Sequence, residues 1–314
     1  MVSPKMTHLH SPLNGNATMN LRRTLILSSL SLAALHAFAP FAHAAQPLQL
    51  EVYNPGHTAM FPVTSTLISG KHGLILVDAQ FERKDAQALI DKIKASGKQL
   101  QAIYVSQADP DFYFGLGLIH AAFPDAPILA TPQTIAIIRA QMEGKLAYWG
   151  PHLKDQAPET LILPSPIQGD QLTLEGQALR IMGLKGAAPE RSYLWIPALR
   201  TVAGGVVVSS GEHVWMADAQ TPAARQAWLA SLREIEALKP RQVIPGHYLG
   251  NRPAGLEAVR FTADYIRRFE TEAARAADSQ ALGQAMQAAY PQFEAGAGLG
   301  ISTKVIKGEM KWPQ

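Results

Sequence analysis

The stretch YVSQADPDFYFG, residues 104–115, places two carboxylates, Asp109 and Asp111, and the amide Gln107 directly behind the apolar run Ala102 to Val105. That layout suits a metal-binding loop at the end of a strand. It equally suits a capped turn, in which an Asx side chain accepts nearby backbone N–H groups and caps the helix that follows. The stretch contains no histidine, and the whole chain of 314 residues contains no cysteine. There is therefore no thiolate ligand, no thiol nucleophile and no disulfide, and an ion would have to be held by His, Asp, Glu or weaker oxygen ligands. Further along, Glu190-Arg191 offers a guanidinium to an acidic substrate group, or to a local acid. Strand alternation puts His213, Trp215 and Ala217 on one face, which suits packing at a sheet edge. Other nucleophile and phosphate systems do not assemble. No G-x-S-x-G elbow, no G-x-G-x-x-G opening a helix and no P-loop is present, and the aromatic residues form no stacking platform.

These residues sit in a chain of ordinary globular composition, 47% hydrophobic and 17% charged. Its first segment reads differently. Arg22 and Arg23 form a positive n-region, Leu25 to Phe38 is apolar but short for a bilayer span, and Ala42-His43-Ala44 matches a small-x-small cleavage site. Residues 19–44 are read as a secretory signal peptide cut after Ala44, with Met19 as the start and residues 1–18 as an upstream extension. The paired arginines loosely resemble a twin-arginine signal, but the ordinary secretory route is the expectation. Residues 1–44 hold Lys5, Arg22 and Arg23 and no acid, so removing them leaves 25 of the 28 basic residues against 25 acids. The pI near 9.0 thus belongs to the leader. The mature chain gives no electrostatic case for nucleic acid or for an anionic membrane, and a lipid anchor at the cleavage site would need a cysteine. The expectation is a periplasmic or secreted protein that meets a small molecule and has no stable membrane anchor.

Residues 45–314 read as one domain or a two-lobed domain. Strands are expected at Leu48 to Tyr53, Val63 to Ser69, Gly73 to Val77 and Ala102 to Val105, with an amphipathic helix over Lys84 to Ala95 closed by Gly97. Helices are expected at Leu116 to Phe123 and Pro132 to Met142, around a strand at Ala126 to Ala130. A second β-rich run covers Thr160 to Leu163, Gln171 to Leu174, Ala178 to Met182, Tyr193 to Ile196 and Arg200 to Val208. Thr221 and Pro222 open a helix through Leu238 as N-cap and first residue. A last short strand, Gln242 to Ile244, runs into Pro245-Gly246-His247, and two helices near Leu256 to Ala277 and Ser279 to Ala289 follow. A β-rich half with helices, repeated, implies an α+β fold of two packed sheets with helices outside, an αββα sandwich.

At this point the chain resembles the metallo-β-lactamase superfamily. FPVTSTLISGKHGLILVDAQF is similar to that family's opening hairpin, in which a strand ends in an aspartate followed by a small residue. The 104–115 loop stands where the family reads T-H-x-H-x-D-H-x-x-G, and PGHY stands where it places a final histidine ligand. The pattern RSYLWIP…TVAGGVVVS…HVWMADAQT…VIPGHY is similar to an exported, Vmh-type subgroup. The resemblance implies a four-layer metallo-β-lactamase-like fold and metal-dependent hydrolysis, in which ions activate water and polarise the group under attack. Residue by residue, it puts Gln107 and Asp109 at the first two histidine positions, keeps Asp111, and puts Phe112 at the third histidine. It leaves Gly186 to Pro189 without the mid-chain histidine and Gly204-Gly205 without the bridging aspartate, and it keeps His247. The ligand set it implies is Asp109, Asp111 and His247, with Gln107 as a weak fourth, and Asp111 and His247 are the implied catalytic pair. Such a set would hold one divalent ion (Zn, Mn or Fe) or none. It also places His213 or Asp218 near the cleft, so that His213, Trp215 and Arg191 become substrate contacts, with His57 overhanging from the hairpin. The competing expectation is an inactive member of the same fold that binds a ligand in that cleft.

Overall fold

The computed structural model describes residues 47–312, so the expected leader, 19–44, and the extension before it lie outside the described residues. Residues 47–312 lie in one compact unit. In chain order the strands are β1 (Gln49–Tyr53), β2 (Ser65–Ser69), β3 (Gly73–Val77), β4 (Gln99–Val105), β5 (Ile128–Ala130), β6 (Ser165–Pro166), β7 (Gln171–Leu174), β8 (Gln177–Met182), β9 (Tyr193–Ile196), β10 (Thr201–Ala203), β11 (Ser209–Ser210), β12 (Gln242–Val243) and β13 (His247–Tyr248). The helices are α1 (Arg83–Ser96), α2 (Leu116–Ala122), α3 (Pro132–Leu153), α4 (Pro222–Ala237), α5 (Glu257–Arg275), α6 (Ser279–Ala289) and α7 (Ala297–Ile306).

The strands form a six-stranded sheet, β1-β2-β3-β4-β5-β6, a five-stranded sheet, β12-β10-β9-β8-β7, and a parallel pair, β11-β13. Burial follows directly from side-chain alternation. One face of the first sheet (Ile68, Ile75, Val77, Tyr104) meets one face of the second (Leu172, Leu174, Leu179, Ile181, Leu194, Ile196). The outer face of the first sheet packs Leu74, Leu76, Ile103 and Val105 under Leu89, Ile90 and Ile93 of α1 and Ile135 and Ile138 of α3. On the other side Tyr193, Val202 and Val243 lie under Trp228, Leu232 and Ile235 of α4 and Ile266 and Phe269 of α5. The order is helix, sheet, sheet, helix, as the sequence pattern implied. Among the described residues no helix is long and apolar enough to cross a membrane.

Several elements differ from their sequence reading, among them short strands β6, β11 and β13, which it did not contain. Thr160 to Leu163 is irregular rather than a strand, and the sheet edge beside β5 is taken by β6. The irregular segment lies against α2 so closely that a Cβ on Gly117 would come within 2.5 Å of the Thr160 carbonyl oxygen. The strand expected over Arg200 to Val208 stops at Ala203, because Gly204 and Gly205 adopt φ of +75° and +74° and turn the chain out of the sheet. Helix α3 runs on from Met142 to Leu153, held by the buried series Lys145, Trp149 and Leu153 at i, i+4 spacing. Helix α7 has two glycines, which lower its intrinsic propensity, and forms because Leu299, Ser302, Thr303 and Val305 are buried by their neighbours.

One surface contact joins the two sheets at their ends. Glu175, in the β7–β8 turn, accepts the backbone N–H groups of Lys71, His72 and Gly73 in the β2–β3 turn, at 2.7, 2.6 and 2.9 Å. The bonds from His72, Gly73 and Lys71 hold its carboxyl well below its ordinary 4.5, at about 2. A depressed carboxyl stabilises the fold at pH above its ordinary value, and that contribution is lost as pH falls toward 2. Glu175→Gln is therefore expected to flatten the acid side of the stability profile and to speed amide exchange at residues 71–73. Unchanged exchange there, by mass spectrometry or NMR, would remove the contact from the account.

Candidate functional site

The site is organised from below by Asp78. Strand β3 ends at Val77, and Asp78 turns the chain with φ of +67° while fully buried. Its carboxylate accepts the Ser106 backbone N–H at 2.8 Å and the Ser106 hydroxyl at 2.7 Å, and that hydroxyl oxygen accepts the Gly205 N–H at 2.6 Å. Asp78 thus ties the ends of β3 and β4 to the glycine turn of the second sheet. Burial pushes its carboxyl up, the Ser106 bonds pull it down, and the nearby charges of Asp111 (raising) and His247 (lowering) leave it at about 7. The next residues lock the loop. The Gly115 N–H bonds the Gln80 carbonyl, and a Cβ on Gly115 would lie 2.0 Å from the Ala79 carbonyl oxygen.

Above this floor lies His247, the first residue of β13. Parallel pairing with β11 sets Ser209 opposite it, and Val63 bridges it from the hairpin. His247 Nε2 lies 2.6 Å from Asp111 Oδ2, and its ring stands edge-on to Phe112 with centroids 5.4 Å apart. Burial by itself lowers this imidazole. The charge and hydrogen bond of Asp111, helped by Glu212 and Asp109, outweigh that and hold it at about 9. At neutral pH the imidazole is therefore protonated, with Asp111 Oδ2 beside its Nε2. Glu212 stands on the same side, half-buried, with its carboxyl pushed up to about 7 by burial; the imidazolium opposes that rise and Asp111 adds to it.

Asp109 acts on both members of this pair through space but bonds neither. It precedes the single turn Pro110–Phe112, but its side chain makes no capping bond. Among the described residues its side chain takes a single, long hydrogen bond, 3.4 Å, from Gln107 Nε2. Burial, then Asp218, then Asp111 push the Asp109 carboxyl up to about 7, against the pull of Lys145 and Arg191. Asp218 in turn accepts the indole N–H groups of Trp215 at 2.5 Å and Trp312 at 2.8 Å. Arg191, in the short turn Pro189–Arg191, is buried with its guanidinium 3.9 Å from the ring centre of Trp228. The sequence reading thus located Asp109, Asp111, His247, Gln107, Arg191 and Trp215 in one region. It missed Lys145, a lysine inside a helix with no local signal, and Glu212. Asp78 was visible only as an acid at a strand end.

Two expected contacts stand elsewhere. His213 bonds Tyr265 Oη through Nδ1 at 2.9 Å and Gln287 through Nε2 at 3.3 Å, amid Tyr265, Tyr290 and Phe293. Both ring nitrogens are committed to the α5–α6 side. His57 is exposed on the turn Gly56–Thr58, and among the described residues no side-chain hydrogen bond or ion pair ties it to the site.

The ligand set Asp109, Asp111, His247 and Gln107 does not converge. Among the described residues no three His, Asp or Glu side chains are placed to hold one ion. The reason is physical. His247 Nε2 and Asp111 Oδ2 engage each other, Asp109 bonds Gln107, and Phe112 fills the space beside the imidazole with an apolar ring. Gly204 and Gly205 bring no side chain at all. This donor arrangement does not fit a paired-metal centre.

Comparison with known proteins agrees with the layering. The family model described as the metallo-beta-lactamase superfamily matches residues 59–247, which run from the opening hairpin to His247. A metallo-beta-lactamase from Pontibacter korlensis superposes with a TM-score of 0.53 at 15% identity, covering 70% of this chain and 95% of that one. The metallo-beta-lactamase IND-7 gives 0.51 at 17% identity, covering 70% and 94%, and VMB-1 gives 0.52 at 14%, covering 71% and 94%. No curated protein matches the chain. Identities this low speak for the fold alone, but the family match spans more than half of the sequence, from the hairpin through both sheets to the last expected ligand position. The chain belongs to the metallo-beta-lactamase superfamily.

Proposed function

We propose that this chain is an exported, Vmh-type member of the superfamily whose cleft binds a small molecule without a resident catalytic ion. The observation behind this reading is the 2.6 Å contact between His247 Nε2 and Asp111 Oδ2. A ligating imidazole must present a lone pair, and a protonated imidazole paired with a carboxylate presents none. The substitution of Gln107, Asp109 and Phe112 for histidines in the loop points the same way. The pair takes the place of a metal centre as the charge-balanced middle of the site.

The test is metal content. The mature chain, incubated with Zn²⁺, Mn²⁺ and Fe²⁺ and then desalted, is expected to retain no stoichiometric ion. Its melting temperature is expected to stay the same with and without chelator. The second reading, a single-ion hydrolase, draws on the crowding of acids here: Asp109 and Glu212 both sit at about 7, a cost that an entering cation would relieve. One retained ion per chain, with a melting temperature that rises on its addition, would replace the first reading by the second.

A further inference from the structure

Two acids of the site are already hydrogen-bonded, and two of its cations are not. Asp111 is taken by His247, and both oxygens of Asp218 are taken by the indoles of Trp215 and Trp312. Lys145 and Arg191, by contrast, are only 3% and 5% exposed, and among the described residues neither makes a side-chain hydrogen bond or an ion pair. Each is held instead by an aromatic face. Lys145 Nζ lies 4.3 Å from the ring centre of Trp312, and the Arg191 guanidinium lies 3.9 Å from that of Trp228. A cation over a ring gains electrostatic attraction, yet its N–H directions are left open. Asp218, Asp109 and Glu190 act on Arg191 through space only, so both nearly enclosed cations keep N–H directions free for an incoming acceptor. The two cations come from elements that touch, since α3 packs against the turn Pro189–Arg191, and both act on Asp109. Beside Asp109, Gln107 Oε1 is a buried acceptor with no donor.

We propose that Lys145 and Arg191 form an anion-binding subsite of this cleft, taking the carboxylate of a small organic acid while Gln107 Oε1 accepts a hydroxyl or amino hydrogen of the same molecule. This rests on the reading that the cleft holds a ligand rather than an ion. A carboxylate gives Arg191 the planar acceptor pair its guanidinium lacks and gives Lys145 a counter-charge.

Glycolate, acetate and sulfate serve as probes on the full mature chain, each against sodium chloride at equal ionic strength. Tens of millimolar glycolate is expected to raise the melting temperature by about 2 °C or more, by mass action on the folded state. Acetate, which has no hydroxyl for Gln107, is expected to give a smaller shift. A sulfate shift equal to that of glycolate would overturn the assignment to an organic acid. Arg191→Met and Lys145→Met are each expected to abolish the glycolate shift, and Arg191→Lys to keep part of it. A shift that survives in both methionine variants overturns the subsite. Should a variant not fold, the wild type still decides. Glycolate is expected to change tryptophan emission as it draws Lys145 from Trp312, and Trp312→Phe is expected to lose that change. No emission change and no thermal shift beyond the chloride control overturns the proposal. The two readings fail separately. Retained metal would sink the ion-free cleft and leave a Lys145-dependent glycolate response standing, whereas loss of that response in metal-free protein sinks only the subsite.

Discussion

Asp78→Ala is expected to lower the melting temperature by about 10 °C, from a loss on the order of 3–4 kcal/mol. The buried Ser106 N–H would lose its acceptor, which costs about 1–3 kcal/mol in a site that water does not reach. Alanine would have to hold φ of +67°, where the Cβ crowds the following carbonyl at roughly 1–2 kcal/mol; aspartate tolerates this region better. The Ser106 hydroxyl would lose its partner as well and would hold the Gly205 N–H less firmly. The same side chain gives a pH signature. Its carboxyl stands at about 7 in the folded protein against an ordinary 3.8, so between those values the folded state binds a proton that the unfolded state has released. Its contribution is fully present below about 3.8 and is lost as pH rises toward 7, with a slope of at most about 1.4 kcal/mol per pH unit. Asp78→Asn keeps the shape and removes the proton, so it is expected to lose little stability near neutrality and to flatten the slope. Urea denaturation of wild type and both variants at mildly acidic and neutral pH measures all of this. Equal slopes in wild type and Asp78→Asn would show that Asp78 does not titrate in this range.

Much of this architecture could be read from the sequence because it depends on periodicity. The apolar spacing at 86, 89, 90 and 93 gives α1, the uninterrupted runs at 73–77 and 102–105 give two central strands, and Thr221-Pro222 gives the start of α4, where the Thr221 hydroxyl does accept the Ala224 N–H. What sequence could not show is orientation. Asp109 and Asp111 are two residues apart and feel each other's charge, but the turn between them sends one carboxylate to His247 and the other toward Gln107, so the two take different hydrogen-bond partners. The capped-turn reading of Asp109 also depended on a side-chain angle, and the side chain makes no capping bond. His213 shared an alternating face with Trp215, yet the strand ends at Ser210 and the irregular chain beyond it sends the imidazole to Tyr265 and the indole to Asp218. Lys145 was hidden for a different reason. Only tertiary packing against Trp312, more than 150 residues away in sequence, turns a helical lysine into a buried cation.

Putting aspartate at position 205, where the resemblance places a bridging carboxylate, is expected to cost the fold more than about 4 kcal/mol and to restore no ion. Gly205 has φ of +74°, and a Cβ there would lie 2.3 Å from the Ser192 carbonyl oxygen, which belongs to the backbone entering β9 and cannot swing aside. From the other side, the Gly205 carbonyl oxygen lies 2.1 Å from where a Cβ on Gly246 would stand. The residue is therefore clamped between two backbones, with its N–H held by Ser106. Left-handed strain accounts for roughly 1–2 kcal/mol and overpacking for a further 1–3 kcal/mol or more, and a buried unpaired carboxylate adds to both. Gly205→Ala separates the first two from the charge. Gly250→Ala separates strain from contact, because Gly250 has φ of +77° with nothing within 4 Å of its Cβ position. The expected order of melting temperatures is wild type, then Gly250→Ala slightly lower, then Gly205→Ala lower by 10 °C or more, with Gly205→Asp lowest or insoluble. If Gly205→Ala melted beside Gly250→Ala, the clamp would be absent. The cleft would then have room for the missing ligand, and the absence of an aspartate here would no longer be built into the backbone.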